Sequence, residues 1–358
     1  MNARLVAILV VLLVVLGGGA LLYQYQERSQ RPGNSDTLGR PLLKDLKAAD
    51  VAAIRNVEPK ATLTVRQKGE RWVLAERADF PADVAKVRDF VVQALSLKVG
   101  QSEPIGDPDR ARLNLDEPGK KAGTAGTQVE FLGADGKALA KLIVGKKYFK
   151  REVDNPEKAR ADGRFVALPG EPKMVYVVSD PLAQATARSS EWIDRTSFKV
   201  EKVKTLEVRY PEGGGYRIER DGDNADWRLA GARPDEKLEV TKANAASYSL
   251  GLLELADVAP QGLTLEQPVS IQATTFDGLS YAIKVGKLQG DNYPVSFSSS
   301  GTARKDEKDA ERIKKMEERL PREKLLSSYV LLIPKSKLED TLKKRAEMLE
   351  KKDDAKKK

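Results

Sequence analysis

Three groups of residues come nearest to a recognisable chemistry, and each falls short of it. Asp221-Gly222-Asp223-Asn224-Ala225-Asp226 resembles the opening of a calcium loop. An EF-hand loop needs oxygen ligands at its first, third and fifth positions, Gly at the sixth and Glu at the twelfth. Counted from Asp221, those last three positions are Ala225, Asp226 and Ala232, so the segment reads as a polar hairpin turn. Gly213-Gly214-Gly215 lacks the Gly-Lys-Ser/Thr ending and the strand-to-helix setting of a phosphate-cradling loop, and reads as a turn between strands. Asp116 and Glu117 offer a carboxylate pair for general acid–base work. Both stand beside a turn-forming Pro118, and a matching segment carries Glu266 and Gln267 beside Pro268, which points to turn stabilisation.

The chain has no His and no Cys among its 358 residues. That removes the commonest general base, the commonest transition-metal ligand, thiolate nucleophiles and disulfides. A Ser-His-Asp hydrolase is excluded, no Ser lies in a Gly-x-Ser-x-Gly setting, and no Ser-x-x-Lys has a convincing context. No catalytic, cofactor-binding or metal-binding residue is assigned, and the expectation is a protein that is not an enzyme. The net charge of +9 is concentrated at the C-terminal end, where residues 302–358 hold 19 Lys and Arg against 13 Asp and Glu. Acidic residues interrupt the basic ones throughout, so this region reads as a solvated helical face and no nucleic-acid partner is expected.

The elements that must position any site begin with an uncharged run from Leu5 to Leu22, residues 5–22. A cleaved signal peptide would use its dense apolar part and then Gly18-Gly19-Ala20 as a small-x-small site. An uncleaved anchor would use the whole run, about 27 Å long at ~1.5 Å per residue, with Tyr23 and Tyr25 at the interface. Leu21 and Leu22 continue past the candidate cleavage site and favour the anchor; Gly17-Gly18-Gly19 would then allow close packing of membrane helices. Everything after Tyr25 is expected outside the inner membrane, in the periplasm. Residues 27–41, rich in Gly, Pro, Ser and Asn from Gln30 on, read as a linker.

After the linker a pattern occurs twice. Trp72-Val73-Leu74 returns as Trp227-Arg228-Leu229. Leu113-Asn114-Leu115-Asp116-Glu117-Pro118 returns as Leu263-Thr264-Leu265-Glu266-Gln267-Pro268. Asp135-Gly136 followed by Val144-Gly145-Lys146 returns as Asp277-Gly278 followed by Val285-Gly286-Lys287. Order is kept and spacing drifts, as duplication with loop changes would produce. Each copy opens with a hairpin: Leu63 and Val65 alternate before Lys68-Gly69, and Tyr216 and Ile218 before Asp221-Gly222. Alternation places Trp72 with Leu74, and Trp227 with Leu229, as core anchors. A helix follows in each. The first has Pro81 in its first turn and a stripe of Val84, Val87, Val91 and Leu95; the second has Thr241 as N-cap and a stripe of Ala243, Ala246, Leu250 and Leu253. A second hairpin turns at residues 133–136, and its counterpart at Asp277-Gly278. An apolar strand closes each copy, residues 174–178 and 329–333. A helix is expected after each, one capped by Asp180-Pro181 with Leu182, Ala185, Ser189 and Trp192 on one side, the other from near Lys335. The second copy carries an insertion, residues 301–326, with a charged helix around 306–320. Its thin apolar seam, Ala310, Ile313, Met316 and Leu320, leaves a docking arm and a solvated excursion both open.

The expected architecture is α+β: an N-terminal transmembrane helix (1–26), the linker (27–41), and two tandem repeats at 42–198 and 199–350. Each repeat is a mostly antiparallel sheet with helices on one face, and a Lys-rich tail (351–358) follows. The layout resembles the bacterial family called domain of unknown function 4340. The matching residues are the N-terminal apolar segment, Leu46-Lys47-Ala48-Ala49-Asp50-Val51, Arg71-Trp72-Val73-Leu74, Phe80-Pro81-Ala82-Asp83, Leu115-Asp116-Glu117-Pro118 and Leu142-Ile143-Val144-Gly145. The resemblance implies a membrane-anchored extracytoplasmic partner of ABC-type transport systems, with permease or ATPase subunits as partners, and carries over no catalytic residue. The expected function is therefore a non-enzymatic accessory or scaffold protein of such a complex. The alternative is a binding module for a small molecule or cell-envelope polymer in a groove between the repeats.

Overall fold

The structure is a computed structural model that describes residues 38–119, 123–301 and 310–350. The run at residues 5–22, most of the linker and the Lys-rich tail lie outside the described residues; within them, no helix is long and apolar enough to cross a membrane. The chain divides into two compact units. One holds the described residues up to Thr64 and Val87–Ala187; the other holds Val65–Lys86 and the chain from Arg188 onward.

In chain order the strands of one sheet are β1 (Ala53–Glu58), β2 (Ala61–Lys68), β3 (Arg71–Leu74), β4 (Phe80–Pro81), β5 (Val99–Pro104), β6 (Thr127–Leu132), β7 (Ala138–Tyr148), β8 (Gly163–Ala167) and β9 (Met174–Val178). They lie in the order β4-β3-β2-β1-β6-β7-β8-β9-β5. The other sheet has β10 (Val203–Arg209), β11 (Tyr216–Glu219), β12 (Arg228–Leu229), β13 (Asp257–Val258), β14 (Val269–Thr275), β15 (Ser280–Val285), β16 (Asn292–Ser300) and β17 (Leu331–Pro334), in the order β12-β11-β10-β14-β15-β16-β17-β13. Setting β10–β12 against β1–β3, β13 against β5 and β14–β17 against β6–β9 reproduces the same order, and only β4 lacks a counterpart. The pairings are antiparallel, for example Ile54 with Phe131 and Leu206 with Ala273. Four helices complete the described chain: α1 (Val84–Leu95), α2 (Asp107–Arg112), α3 (Val240–Ser249) and α4 (Ala310–Leu326). Two mostly antiparallel sheets with few helices make the class α+β.

One apposition of the repeated residues recurs in both copies. Leu115 is fully buried in a cluster with Ile143, Ala167 and Val175. A Cβ built on Gly145 would lie 2.7 Å from Leu115 Cδ2, and one on Gly286 would lie 2.9 Å from Leu265 Cδ2. The Leu-x-Leu segment thus lies directly over the Val-Gly-Lys segment in each copy, and Gly is what leaves room for it.

Several local expectations are corrected. Trp227 is buried but Trp72 is only half-buried; Val73 and Leu74 fill the core instead. Strand β3 is only four residues long, and the chain then turns through Ala78 and Asp79, both left-handed, so alternation breaks at its end. Pro81 sits in β4, and α1 starts after Asp83, whose carboxylate accepts from the Ala85 and Lys86 N–H groups at 3.0 and 3.4 Å. The buried stripe of α1 is Val87, Phe90, Val91 and Ala94, with Phe90 stacked on Phe131, while Val84 is exposed and Leu95 half-buried. In α3 the expected stripe is buried, but Glu239 is the N-cap and Thr241 donates to its carboxylate at 3.0 Å. Neither closing α-helix forms. After β9 the chain turns, with Leu182 at φ 47°, and makes a single 3-10 turn at Ser189–Glu191. After β17 the Tyr216 and Tyr210 hydroxyls donate to the Thr341 and Leu342 carbonyls, which a helix there would have needed for its own bonds. The last linker residues are tied down, Gly39 N–H donating to the Val99 carbonyl at 2.8 Å.

Candidate functional site

A cleft of 780 Å³ lies within the second unit, between the chain at 199–203, the turn after β11 and helix α3. Its floor is built from one arginine. Arg220 follows β11 and is held by its Nε donating to the Val203 carbonyl at 2.8 Å, with Nη2 on Asp223 Oδ1 at 2.9 Å and Nη1 on the Asp223 carbonyl. Its guanidinium stacks over Trp227 at 4.6 Å and lies 5.7 Å from the Phe276 ring. The Trp227 indole N–H donates to Asn244 Oδ1 at 3.0 Å, which fixes the ring against α3. The rim is apolar and open: Tyr248 is 70% and Leu252 46% exposed. A second depression of 350 Å³ shares Lys199, Gly251 and Leu252 with the first, so the two form one elongated groove.

Helix α4 braces the irregular segment 194–201 that forms one wall. Its Glu323 is completely buried and accepts from the Lys199 backbone N–H at 3.1 Å and the Tyr281 hydroxyl at 3.0 Å. Arg319 places Nε 3.0 Å from Glu323 and donates to Glu201 at 2.7 Å. Arg322 donates to the Asp194 and Thr196 carbonyls and pairs with the Asp194 carboxylate at 3.1 Å. Burial raises the Glu323 carboxyl above the usual carboxylate range, although Arg319 and the two hydrogen bonds pull the other way. The helix runs through Pro321 to Leu326, six residues beyond the end expected at 320, and its C-terminal half is clamped to residues 194–201.

The residues weighed for chemistry lie in separate turns of the fold. Asp116 accepts from Thr124 Oγ1 at 2.7 Å, and Asp221 pairs with Arg228 at 2.7 Å. Gly213 and Gly214 both have positive φ in the turn between β10 and β11, and the Gly214 carbonyl accepts from the Arg345 N–H at 2.8 Å. The buried Glu130 and the half-buried Asp257 are likewise taken. Glu130 sits between Arg55 and Lys141; burial pulls its pKa up, but the two cations outweigh that and leave it below the usual value. Asp257 takes a two-pronged contact from Arg77 and a hydrogen bond from the Ser189 hydroxyl.

Sequence reading missed the groove. The available signal was Tyr248 and Leu252, two large apolar residues four apart that fall off the buried stripe of α3. Comparison with known proteins gives one result: residues 72–272, just over half the chain, match the model of a family described as a domain of unknown function, DUF4340. No curated protein and no solved structure matches the chain.

Proposed function

This chain belongs to the DUF4340 family, and we propose that it is a non-enzymatic accessory or scaffold protein, anchored through residues 5–22 with its repeats outside the inner membrane, that docks onto an ABC-type transport complex. One observation carries this reading. The 780 Å³ cleft of the second unit presents an exposed apolar rim, while the carboxylates Glu201 and Asp223 along it are neutralised by arginines. A reaction centre needs acid or base groups left available to substrate; a docking surface needs accessible apolar area. The apolar run at the N-terminus and the structural nature of the repeated residues support the same reading.

The test is crosslinking of the tagged full-length protein in intact cells, followed by mass spectrometry of the membrane fraction. Recovery of permease or ATPase subunits, with crosslinks through Lys314 or Lys324, is the expected result. Recovery of no protein partner from intact membranes overturns it. The volume of the cleft favours one further reading, a binding module, since small-molecule sites span roughly 300–1,000 Å³. Thermal stabilisation by a panel of envelope glycans and metabolites, with no crosslinked partner, would establish that reading instead.

A further inference from the structure

We infer that the elongated groove of the second unit takes an extended acidic peptide segment bearing aliphatic or aromatic residues, contributed by a partner protein. This rests on the accessory reading and names the chemistry of the partner's contact. Charge supplies the first argument. Four carboxylates line the groove, and each has a cation: Asp194 has Arg322, Glu201 has Arg319, Asp223 has Arg220, and Glu254 has Arg195 at 3.8 Å and Lys337 at 3.7 Å. Lys199 and Lys202 also line it and have no ion pair among the described residues. The groove therefore presents uncompensated positive charge beside an apolar rim, and an anionic segment complements it.

Shape is the second argument. The two depressions, 780 and 350 Å³, adjoin at Lys199, Gly251 and Leu252, which line both, and together offer room for an extended chain. Tyr248 and Leu252 stand on the rim, where alternate side chains of such a segment would pack. Backbone conformation is the third. Lys202, one of the two lysines unpaired among the described residues, has φ 49°, a left-handed conformation that costs a residue other than glycine some strain.

The chain's own ends are poor occupants. Residues 351–358 carry five Lys against two Asp and so have the wrong sign, and residues 23–37, with Arg28 and Arg31 against Glu27 and Asp36, have no net negative charge to offer. An anionic bilayer has the right sign but is flat, and it would meet four carboxylates along a concave surface.

The experiment uses full-length protein in nanodiscs to select from a displayed library of random dodecapeptides. The best peptide is then measured by fluorescence anisotropy. The expected result is enrichment of Asp and Glu interspersed with Leu, Phe or Tyr, affinity that weakens with salt, and at least a tenfold loss in K199E/K202E and in L252D. K199Q/K202Q, which keeps side-chain volume, serves if charge reversal perturbs the fold, and should lose several-fold. Enrichment of neutral or basic peptides, no enrichment, or binding indifferent to these variants overturns the inference. So does binding of anionic vesicles that depends on Lys199 and Lys202 without any peptide selection, or self-association of the protein through Leu252. If transporter subunits crosslink in cells while the groove selects nothing, this inference fails and the accessory role stands; if no partner crosslinks at all, the accessory reading fails with it.

Discussion

The two repeated glycines should differ sharply when replaced by alanine. A Cβ on Gly145 would lie 2.4 Å from the Leu113 carbonyl oxygen, roughly 0.9 Å inside the ~3.3 Å at which a C–H group and a carbonyl oxygen meet. That oxygen cannot swing away, because it accepts from the Lys146 N–H at 2.9 Å and belongs to the backbone entering the buried Leu115. Relief requires shifting the whole segment. Overpacking of this kind costs about 1–3 kcal/mol, and weakening the Lys146 bond adds about 1. The reduced freedom of the unfolded chain returns about 0.5 kcal/mol. The net expectation for Gly145→Ala is about 3 kcal/mol. At Gly286 the nearest atoms are Leu265 Cδ2, on a half-buried side chain that can rotate, and Pro294 Cγ, on a ring that can repucker, both at 2.9 Å, and no backbone atom comes closer than 3.4 Å. Gly286→Ala should cost no more than about 1 kcal/mol. For units of this size each kcal/mol moves a midpoint by roughly 2–4 °C, so calorimetry should show a fall of about 6–12 °C for Gly145→Ala and about 2–4 °C or less for Gly286→Ala. Hydrogen exchange should place the first loss in residues 113–118 and 144–146. A Gly145→Ala protein within about 1 kcal/mol of the parent, or a larger loss at Gly286, would refute the claim that backbone apposition selects glycine in the first copy.

The other expectations follow from particular groups. Leu115→Ala should cost about 2–4 kcal/mol by leaving a cavity among Ile143, Ala167 and Val175, and Leu265→Ala distinctly less, as denaturant midpoints will show. Glu323 has a folded-state pKa raised above its unfolded value. Its effect is to make the protein more stable below about 4.5 and less stable as pH rises through the folded pKa; Glu323→Gln should remove that slope, and unchanged pH dependence of the melting point would count against it. Glu236 is the opposite case, lowered first by Arg345 and then by Arg233. Its stabilisation is present above the unfolded pKa near 4.5 and lost as pH falls, so Glu236→Gln should speed hydrogen exchange in residues 338–350 at neutral pH and flatten the acid limb. Ala78→Gly should stabilise by up to about 1 kcal/mol, because relief of a left-handed alanine at φ 55° slightly exceeds the entropy lost by glycine.

The parts of the fold legible in the sequence are those set by near neighbours along the chain. Alternation and glycine turns located both hairpins of each copy, and β9 coincides with the expected residues 174–178. The buried stripe of α1 keeps Val87 and Val91 but replaces the expected Val84 and Leu95 with Phe90 and Ala94, because Phe90 contributes more buried area than Val84 could. The two closing helices were misread for a long-range reason. Their carbonyls and turns are claimed by groups distant in sequence, Tyr210 and Tyr216 among them, and no local propensity encodes that. The groove was illegible on the same ground: residues 199–203, Arg220, Trp227 and Tyr248 meet only through the sheet.

The duplication itself argues where function resides. Both copies keep the leucine-over-glycine apposition and the same strand order, so these features answer to folding and carry no information about a partner. The second copy then adds what the first lacks. Its hairpin ends in Arg220 stacked on a buried Trp227, whereas the corresponding Trp72 is half-buried; its insertion supplies Glu323 and Arg319, which fix Lys199 and Glu201 in place. A completely buried carboxylate is costly to maintain, and a helix carrying one is poorly explained as a mere solvated excursion. The cost is intelligible if α4 is a strut that holds one wall of the groove at a fixed distance from α3. On that reasoning, deleting residues 302–309, which lie ahead of the clamped half of the helix, should leave peptide binding intact, whereas Arg319→Ala should weaken it by loosening residues 199–201 without removing any group that touches the peptide. Equal effects of the two changes would mean that the helix acts as a contact surface and not as a strut.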